Sequence, residues 1–147
     1  MTLFFPDVNV WIALSFDRHE HSTDAWAWLR RLPDASQVVF CRYTQLGLLR
    51  LLTNPSVMGE HTLTTREVWA VYDRWTKDPR VAFHPEPLTL DVSFREATTA
   101  LAARNLSNWI GDCYLLAYAK ECGATLVTFD KALIALAAKR GCRAVRC

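Results

Sequence analysis

The segment formed by residues 109–131 constrains the fold of this chain more than any other. Its first half has the periodicity of a helix that ends at Gly123, and its second half is an almost continuous apolar run, residues 124–129, closed by Asp130. Glycine suits the left-handed position after a helix C-terminus, and an unbroken apolar run is typical of a strand buried on both faces of a parallel sheet. The segment therefore predicts a helix followed by a parallel strand of an α/β fold.

Aspartates follow two of the predicted strands. Asp130 comes directly after the strand at 124–129, and Asp7 comes directly after a short apolar strand at 2–6. Asp112 lies in the first turn of the helix that precedes the strand at 124–129. Ligands of open α/β sheets bind outside the carboxyl ends of the strands. We therefore expect the three aspartates to lie near one another at that edge of the sheet.

The rest of the chain alternates helical and strand patterns, which is typical of an α/β domain with a central, mainly parallel sheet. Ser22 and Thr44 are predicted to cap the N-termini of two helices, and Thr64 with Glu67 fits a capping box. The predicted helices are 8–14, 22–31, 44–53, 64–77, 91–104 and 131–139, and the remaining predicted strands are 37–41, 81–83 and 143–146.

Length and composition favour one soluble domain, residues 1–147, with a single sizeable core, because 51% of the 147 residues are hydrophobic. The apolar runs fall far short of the roughly 20 residues that span a bilayer. Five cysteines without a C-x-x-C pair favour reduced thiols, and we expect a cytoplasmic protein. The net charge of +2 does not establish a nucleic-acid partner, although residues 131–146 carry five basic residues and no acid. Those residues form either a basic patch beside the acidic site or a solvated helix face with a charged tail.

The three aspartates also allow a chemical inference. Singly, Asp7 is explained by a turn, Asp112 by a helix dipole and Asp130 by a helix cap. Together, carboxylates about 4 Å apart would repel by about 4 kcal/mol per pair at an effective dielectric of about 20. A cation among them relieves that repulsion, and hard oxygen ligands suit Mg²⁺ or Mn²⁺. A metal between carboxylates and a substrate phosphate indicates phosphoryl chemistry.

Four motifs together resemble the PIN-domain ribonucleases, in particular the VapC toxins of bacterial toxin–antitoxin pairs. The resemblance covers nearly the whole chain. It implies a three-layer α/β domain, a site that binds Mg²⁺ or Mn²⁺, and endonucleolytic cleavage of RNA, with Asp7, Asp112 and Asp130 on the acidic positions of the family. The motifs are PDVNVWIAL at 6–14, YTQLGLLRLLTNP at 43–55, GDCYLLAYA at 111–119 and LVTFDKAL at 126–133.

The chain departs from this family at Gln45, where many relatives carry a glutamate. A glutamine offers a neutral carbonyl oxygen, so Gln45 is a candidate fourth metal ligand, but the site has three negative charges instead of four. A second tightly held metal is therefore in doubt. Asn9 and Thr128 match polar positions that orient the acids. Arg42 and Lys131 are predicted to contact RNA phosphates, the alternative being an ion-pairing role at the surface.

The function predicted from these residues is that of a metal-dependent endoribonuclease toxin of a type II toxin–antitoxin pair. A homodimer and a small antitoxin are expected partners, since the helix at 44–53 is too apolar to be covered by one domain of this size. The helix at 64–77 would line the antitoxin groove or the core beneath it. The alternative is a PIN-fold nucleic-acid or protein binding module with weakened catalysis. A phosphatase or receiver-like domain is disfavoured, because no D-x-D motif follows the first strand.

Overall fold

The computed structural model describes residues 1–101 and 106–147. Its centre is a parallel sheet of five strands, β1 (Thr2–Pro6), β2 (Ser36–Phe40), β3 (Val81–Phe83), β4 (Thr125–Thr128) and β5 (Ala144–Arg146). The strands lie in the order β3-β2-β1-β4-β5. The order reverses at the β1–β4 pair, and the carboxyl ends of such a pair are where open α/β sheets form a ligand crevice.

Helices cover both faces of this sheet and make three layers, as the sequence predicted. Residues that alternate along each strand enter two separate cores. Val38, Phe40 and Val127 belong to the first core, whereas Phe5, Val39 and Leu126 belong to the second. The helices are α1 (Val8–Ser15), α2 (Ser22–Arg30), α3 (Arg42–Leu52), α4 (Pro55–Met58), α5 (Thr65–Thr76), α6 (Leu90–Thr99), α7 (Ile110–Cys122) and α8 (Lys131–Lys139).

The helices α1, α2, α3 and α5 enclose the first core, and α7 and α8 contribute most of the second. Gly47 of α3 approaches α1 so closely that a Cβ at this position would lie 2.4 Å from a methyl carbon of Val8. The absence of a side chain at Gly47 therefore allows the close spacing of α1 and α3, the helices that follow β1 and β2. None of the helices in the described ranges is long and apolar enough to cross a membrane.

Two of the predicted helix caps are wrong. Ser22 is the first residue of α2, and His21 precedes it without a side-chain capping bond. α3 begins two residues before Thr44, after Cys41. The hydroxyl of Thr44 accepts a hydrogen bond from the backbone N–H of Cys41 at 3.1 Å. Thr44 thus completes the cap from inside the first turn, which is the second half of a capping box.

The capping box of α5 is confirmed. Thr64 accepts a bond from the Glu67 N–H at 3.2 Å, and the Glu67 carboxylate accepts one from the Thr64 N–H at 2.7 Å. α6 ends at Thr99, before Ala100 and Leu101 of its predicted span, and residues 102–104 of that span lie outside the described residues. The predicted loop after α3 contains the short helix α4, which starts because Asn54 caps it and a proline occupies its first position.

The apolar helix α3 is buried on one side only. Leu48 and Leu52 are fully inside the first core, whereas Leu46 is 51% exposed. Val57 of α4, the next helix along the chain, is also 51% exposed. The chain therefore leaves apolar surface on these two helices uncovered, and burial of α3 on a further side, expected from its apolar sequence, would require a partner.

Candidate active site

Asp7 lies where β1 ends and α1 begins. It is the N-cap of α1, and its Oδ1 accepts a hydrogen bond from the Val10 N–H at 3.2 Å. Its own backbone N–H donates to the carbonyl of Val127 in β4 at 2.9 Å. The residue is only 6% exposed. The cap and the neighbouring strand therefore fix the Asp7 carboxylate at the carboxyl edge of the sheet.

Thr128, the last residue of β4, joins Asp7 to Asp130. Its buried hydroxyl donates a hydrogen bond to Oδ2 of Asp7 and accepts one from the backbone N–H of Asp130 at 3.0 Å. Asp130 is the N-cap of α8, and its Oδ1 accepts bonds from the N–H groups of Ala132 at 2.8 Å and Leu133 at 3.2 Å. One threonine thus links the carboxylate at the end of β1 to the residue that starts α8.

Asp112 is the third residue of α7 and is half-buried. The pKa of its carboxyl is raised from 3.8 to about 6. Burial is the largest cause of this rise, and the charges of Asp130 and Asp7 are the next. Burial also raises the pKa of Asp7, although the bonds from Thr128 and the backbone N–H groups of Val10 and Asn9 oppose it. The charges of Asp7 and Asp130 therefore both act on Asp112.

The donor set of this site fits a hard divalent cation. Asp112 makes no side-chain hydrogen bond to another described residue, and Asp130 uses only Oδ1, so carboxylate oxygens remain free. Such oxygens suit Mg²⁺ or Mn²⁺. Within residues 1–101 and 106–147, no three acidic, histidine or cysteine side chains are gathered closely enough to hold a metal as they stand. Asp7 and Asp130 lie near enough to affect the pKa of Asp112, but the three side chains do not form a closed set of metal ligands.

Gln45 is buried and engaged elsewhere. Its Oε1 accepts a hydrogen bond from the Arg42 guanidinium. Burial raises the pKa of the Tyr72 hydroxyl, and a hydrogen bond from the Gln45 side chain partly offsets that rise. Arg42 also lies over the ring of Phe83, 4.9 Å from its centroid. The hydrogen bond that the Gln45 Oε1 accepts therefore comes from Arg42, and the described residues show none between Gln45 and the aspartates.

The other predicted residues have simpler surroundings. Asn9 is exposed, and the contact it makes with Asp7 is through its backbone N–H. Lys131 is exposed at the first position of α8, next to Asp130. Neither Arg42 nor Lys131 forms an ion pair within the part of the chain that the structure describes. Lys131 follows Asp130 directly and Arg42 donates a hydrogen bond to Gln45, and both cations remain candidates for phosphate contacts.

Tyr43 is a site residue that the sequence reasoning missed. Burial raises the pKa of its hydroxyl, and the charge of Asp112 adds to that rise. A Cβ on Gly111 would lie 2.4 Å from the Tyr43 Oη, so the ring tip occupies the space beside the backbone that carries Asp112. The dipeptide Gly111-Asp112 at the start of a helix was the available signal, because a glycine there permits a close approach.

Comparison with known proteins places this geometry in a family context. Residues 4–139 match the family model of the PIN domain. Ribonuclease VapC41 of Mycobacterium tuberculosis is 39% identical over 133 residues, which cover 86% of this chain and 88% of that protein. The structure of VapBC2 from Rickettsia felis bound to a promoter DNA fragment superposes with a TM-score of 0.70 at 12% identity, covering 99% of this chain and 98% of that one. VapC20 of M. tuberculosis, described as a sarcin–ricin loop cleaving toxin, gives 0.65 at 17% identity, covering 90% and 93%.

The raised pKa of Asp112 leads to a prediction for stability in a chelator. Its folded pKa lies above the unfolded value, so ionisation of this group destabilises the metal-free fold as the pH rises from 3.8 through about 6. We expect Asp112→Asn to raise the free energy of unfolding at pH 7.5 by about 1 kcal/mol, a value reduced because the group is partly exposed. Urea unfolding at pH 5 and pH 7.5 measures this gain, which should be about half as large at pH 5, where the folded group is mostly protonated but the unfolded group is mostly ionised. The exposed Asp34→Asn serves as control, and a loss of stability in Asp112→Asn at pH 7.5 would contradict the electrostatic argument.

Proposed function

The chain belongs to the PIN domain family, and on that premise we propose that it is a metal-dependent endoribonuclease, the toxin of a type II toxin–antitoxin pair. The observation that carries the proposal is that Asp7 and Asp130 stand at the carboxyl ends of β1 and β4, and that the charges of both contribute to the raised pKa of Asp112. The name of the relative VapC41 as a ribonuclease supports RNA as the substrate.

The three aspartates would hold Mg²⁺ or Mn²⁺ at this edge. When bound, the ion supplies a water of lowered pKa and stabilises the charge that develops on the phosphodiester. Among the described residues, no hydrogen bond reaches the Asp112 carboxylate or Oδ2 of Asp130, so these oxygens would be available to the ion. Thr128 and the Val10 N–H hold Asp7 in place as these oxygens approach a cation. The residues Arg42 and Lys131 would contact the phosphates of the RNA.

Asp7→Asn tests the catalytic site directly. Asparagine keeps the volume and the capping oxygen of Asp7 but removes one negative charge, so the fold should persist while metal binding weakens. We expect cleavage of mixed RNA in Mg²⁺ to fall by at least about 100-fold, as for other residues that position reacting groups. Circular dichroism confirms folding, and the exposed Asp34→Asn should cleave as wild type does. Cleavage by Asp7→Asn at the wild-type rate would place the site elsewhere.

Gln45 is a candidate fourth metal ligand, but its hydrogen bond with Arg42 disfavours that role. In Gln45→Glu the new carboxylate would lie against the Arg42 guanidinium, which donates to this side chain in the wild type. We therefore expect calorimetric titration with Mg²⁺ to give the same affinity, within about twofold, for wild type and Gln45→Glu, because the ion pair neutralises the added charge. Tightening by tenfold or more would return Gln45 to the metal shell.

An alternative function follows from the same residue. With Gln45 bonded to Arg42, the site has three acids, and a PIN-fold binding module with weakened catalysis would have that composition. Metal-dependent cleavage by the purified protein favours the enzyme. Binding of RNA without cleavage at any Mg²⁺ or Mn²⁺ concentration favours the module.

The proposed antitoxin would bind along α5. Val71 and Trp75 of α5 line a cavity of about 300 Å³ with Trp26 of α2. A second cavity of about 380 Å³ continues along the same helix between Phe16 and Leu63. The solved VapBC structures are complexes of the relatives, which supports a protein partner of this kind for our chain. The stripe of Val68, Val71, Tyr72 and Trp75 thus forms core on its inner side and cavity wall on its outer side.

The homodimer is proposed to use the exposed apolar residues of α3 and α4. Leu46 and Val57 are each about half exposed. In sedimentation velocity at micromolar concentration we expect a dimer for wild type and a shift to monomer for Leu46→Glu, because a carboxylate buried in an isologous contact faces its own copy. Val92→Glu, at an exposed position of α6, is the control and should remain dimeric. Wild type that sediments as monomer would exclude this dimer.

A further inference from the structure

Tyr43 stands between the acidic site and solvent. It is the second residue of α3 and is 40% exposed, although it is a large aromatic residue. Its hydroxyl lies against Gly111, and Asp112 is the next residue along α7. The ring thus contacts the residue that precedes Asp112, an aspartate of the proposed site. Nothing in the mechanism described so far uses it.

The Tyr43 ring is supported from behind. It packs on the ring of Tyr114, with centroids 4.7 Å apart and an interplanar angle of 33°. Tyr114 is itself held by an edge contact to Phe94, at 5.8 Å, and by a hydrogen bond that its hydroxyl donates to Glu86 at 2.7 Å. An exposed ring on a fixed aromatic support loses little conformational entropy when a flat ligand stacks on it.

Gly111 determines where the Tyr43 ring sits. A Cβ at position 111 would lie 2.4 Å from Tyr43 Oη and 3.6 Å from its Cζ, and no other atom lies within 4 Å of it. The missing side chain of Gly111 thus lets the hydroxyl of Tyr43 rest against the first turn of α7. The contact sets the distance between the exposed ring and the turn that presents Asp112.

An acidic site has a physical difficulty with RNA as substrate. Three aspartates repel the phosphate backbone, and the net charge of the chain is only +2. Affinity must therefore come partly from a contact that does not depend on charge. Stacking of an unpaired base on an aromatic side chain supplies such a contact and tolerates any base, because every base has a π face. A base within a duplex has no free face to offer.

We propose that Tyr43 is a substrate-positioning residue on whose ring an unpaired nucleobase next to the scissile phosphate stacks, with Gly111 setting the place of the ring. The proposal rests on the proposed ribonuclease function and deepens it, since it assigns a side chain of this protein to the base beside the scissile phosphate. The Tyr43 hydroxyl acts as a spacer against Gly111, so the aromatic ring and not the hydroxyl provides the binding surface.

The first test compares Tyr43→Ala with Tyr43→Phe in steady-state cleavage of a labelled mixed-sequence single-stranded RNA in Mg²⁺. We expect Tyr43→Ala to raise KM by about 10- to 100-fold with a smaller change in kcat, and Tyr43→Phe to have a much smaller effect. Trp69→Ala removes another exposed aromatic residue, 42% exposed on α5, and is the matched control with unchanged KM. Equal losses in Tyr43→Phe and Tyr43→Ala would overturn the stacking role in favour of the hydroxyl.

The second test uses Gly111. We expect Gly111→Ala to raise KM as Tyr43→Ala does, because the new Cβ displaces the ring. Adding Tyr43→Phe to Gly111→Ala removes the hydroxyl oxygen that would lie 2.4 Å from the new Cβ. The nearest remaining atom, Cζ of residue 43, lies 3.6 Å from that Cβ, which is an ordinary contact. The double variant should therefore recover a KM close to that of Tyr43→Phe alone, which is a non-additive result. Additive losses would overturn the spacing role of Gly111.

The third test separates this inference from the proposed activity. In the Asp7→Asn background, fluorescence anisotropy should show that Tyr43→Ala weakens binding of the single-stranded RNA, while the same strand in a duplex binds weakly with or without the substitution. Wild type that cleaves with the same KM as Tyr43→Ala would overturn the stacking role and leave the nuclease intact. Tyr43-dependent binding without any cleavage by wild type would overturn the nuclease alone. Conversion of a wild-type dimer to monomer by Tyr43→Ala would make the ring a subunit contact and overturn the proposal.

Discussion

The hydrogen bonds of Thr128 connect the two central strands to the acidic site. Its hydroxyl bonds to the Asp7 carboxylate and to the N–H of Asp130, and the Asp7 N–H bonds to the adjacent Val127 carbonyl. Because β1 and β4 are the pair at which the strand order reverses, this connection lies in the crevice where α/β sheets bind ligands. Two helices, α1 and α8, start from the same two aspartates, so the caps of the helices and the acids of the site are the same groups.

The site that results is unfavourable for the fold and useful for function. Asp7 is buried beside other acids, and Asp112 has a pKa of about 6 because burial and two neighbouring charges oppose its ionisation. A divalent cation relieves this repulsion, so the free energy that destabilises the empty site favours metal binding. The same acids repel RNA, and an exposed ring such as Tyr43 next to Gly111 supplies attraction of a different physical kind. The acids would thus bind the metal ion, and the Tyr43 ring would contribute to the binding of RNA.

The sequence predicted the parts of this structure that depend on local pattern. Apolar runs predicted β1 and β4. Because parallel strands end at one edge of a sheet, the aspartate after each run was predicted to lie at that edge. The cap of α3 was predicted three residues late, since Thr44 acts from inside the turn and Cys41 is an unusual cap. The environment of Gln45 and the contact between Tyr43 and Gly111 were not predictable, because Tyr72, Phe83 and α7 reach these residues only through the tertiary fold.

The central claim is that Asp7, Asp112 and Asp130 act as one binding site for a divalent ion. Titration with Mn²⁺, followed by the electron paramagnetic resonance signal of the free ion, measures that site without RNA. The account predicts that each of Asp7→Asn, Asp112→Asn and Asp130→Asn weakens Mn²⁺ binding by about tenfold or more, since each removes a charge close to the ion. The exposed Asp34→Asn should bind as wild type does. Unchanged Mn²⁺ affinity in a variant that lacks all three carboxylates would contradict the account.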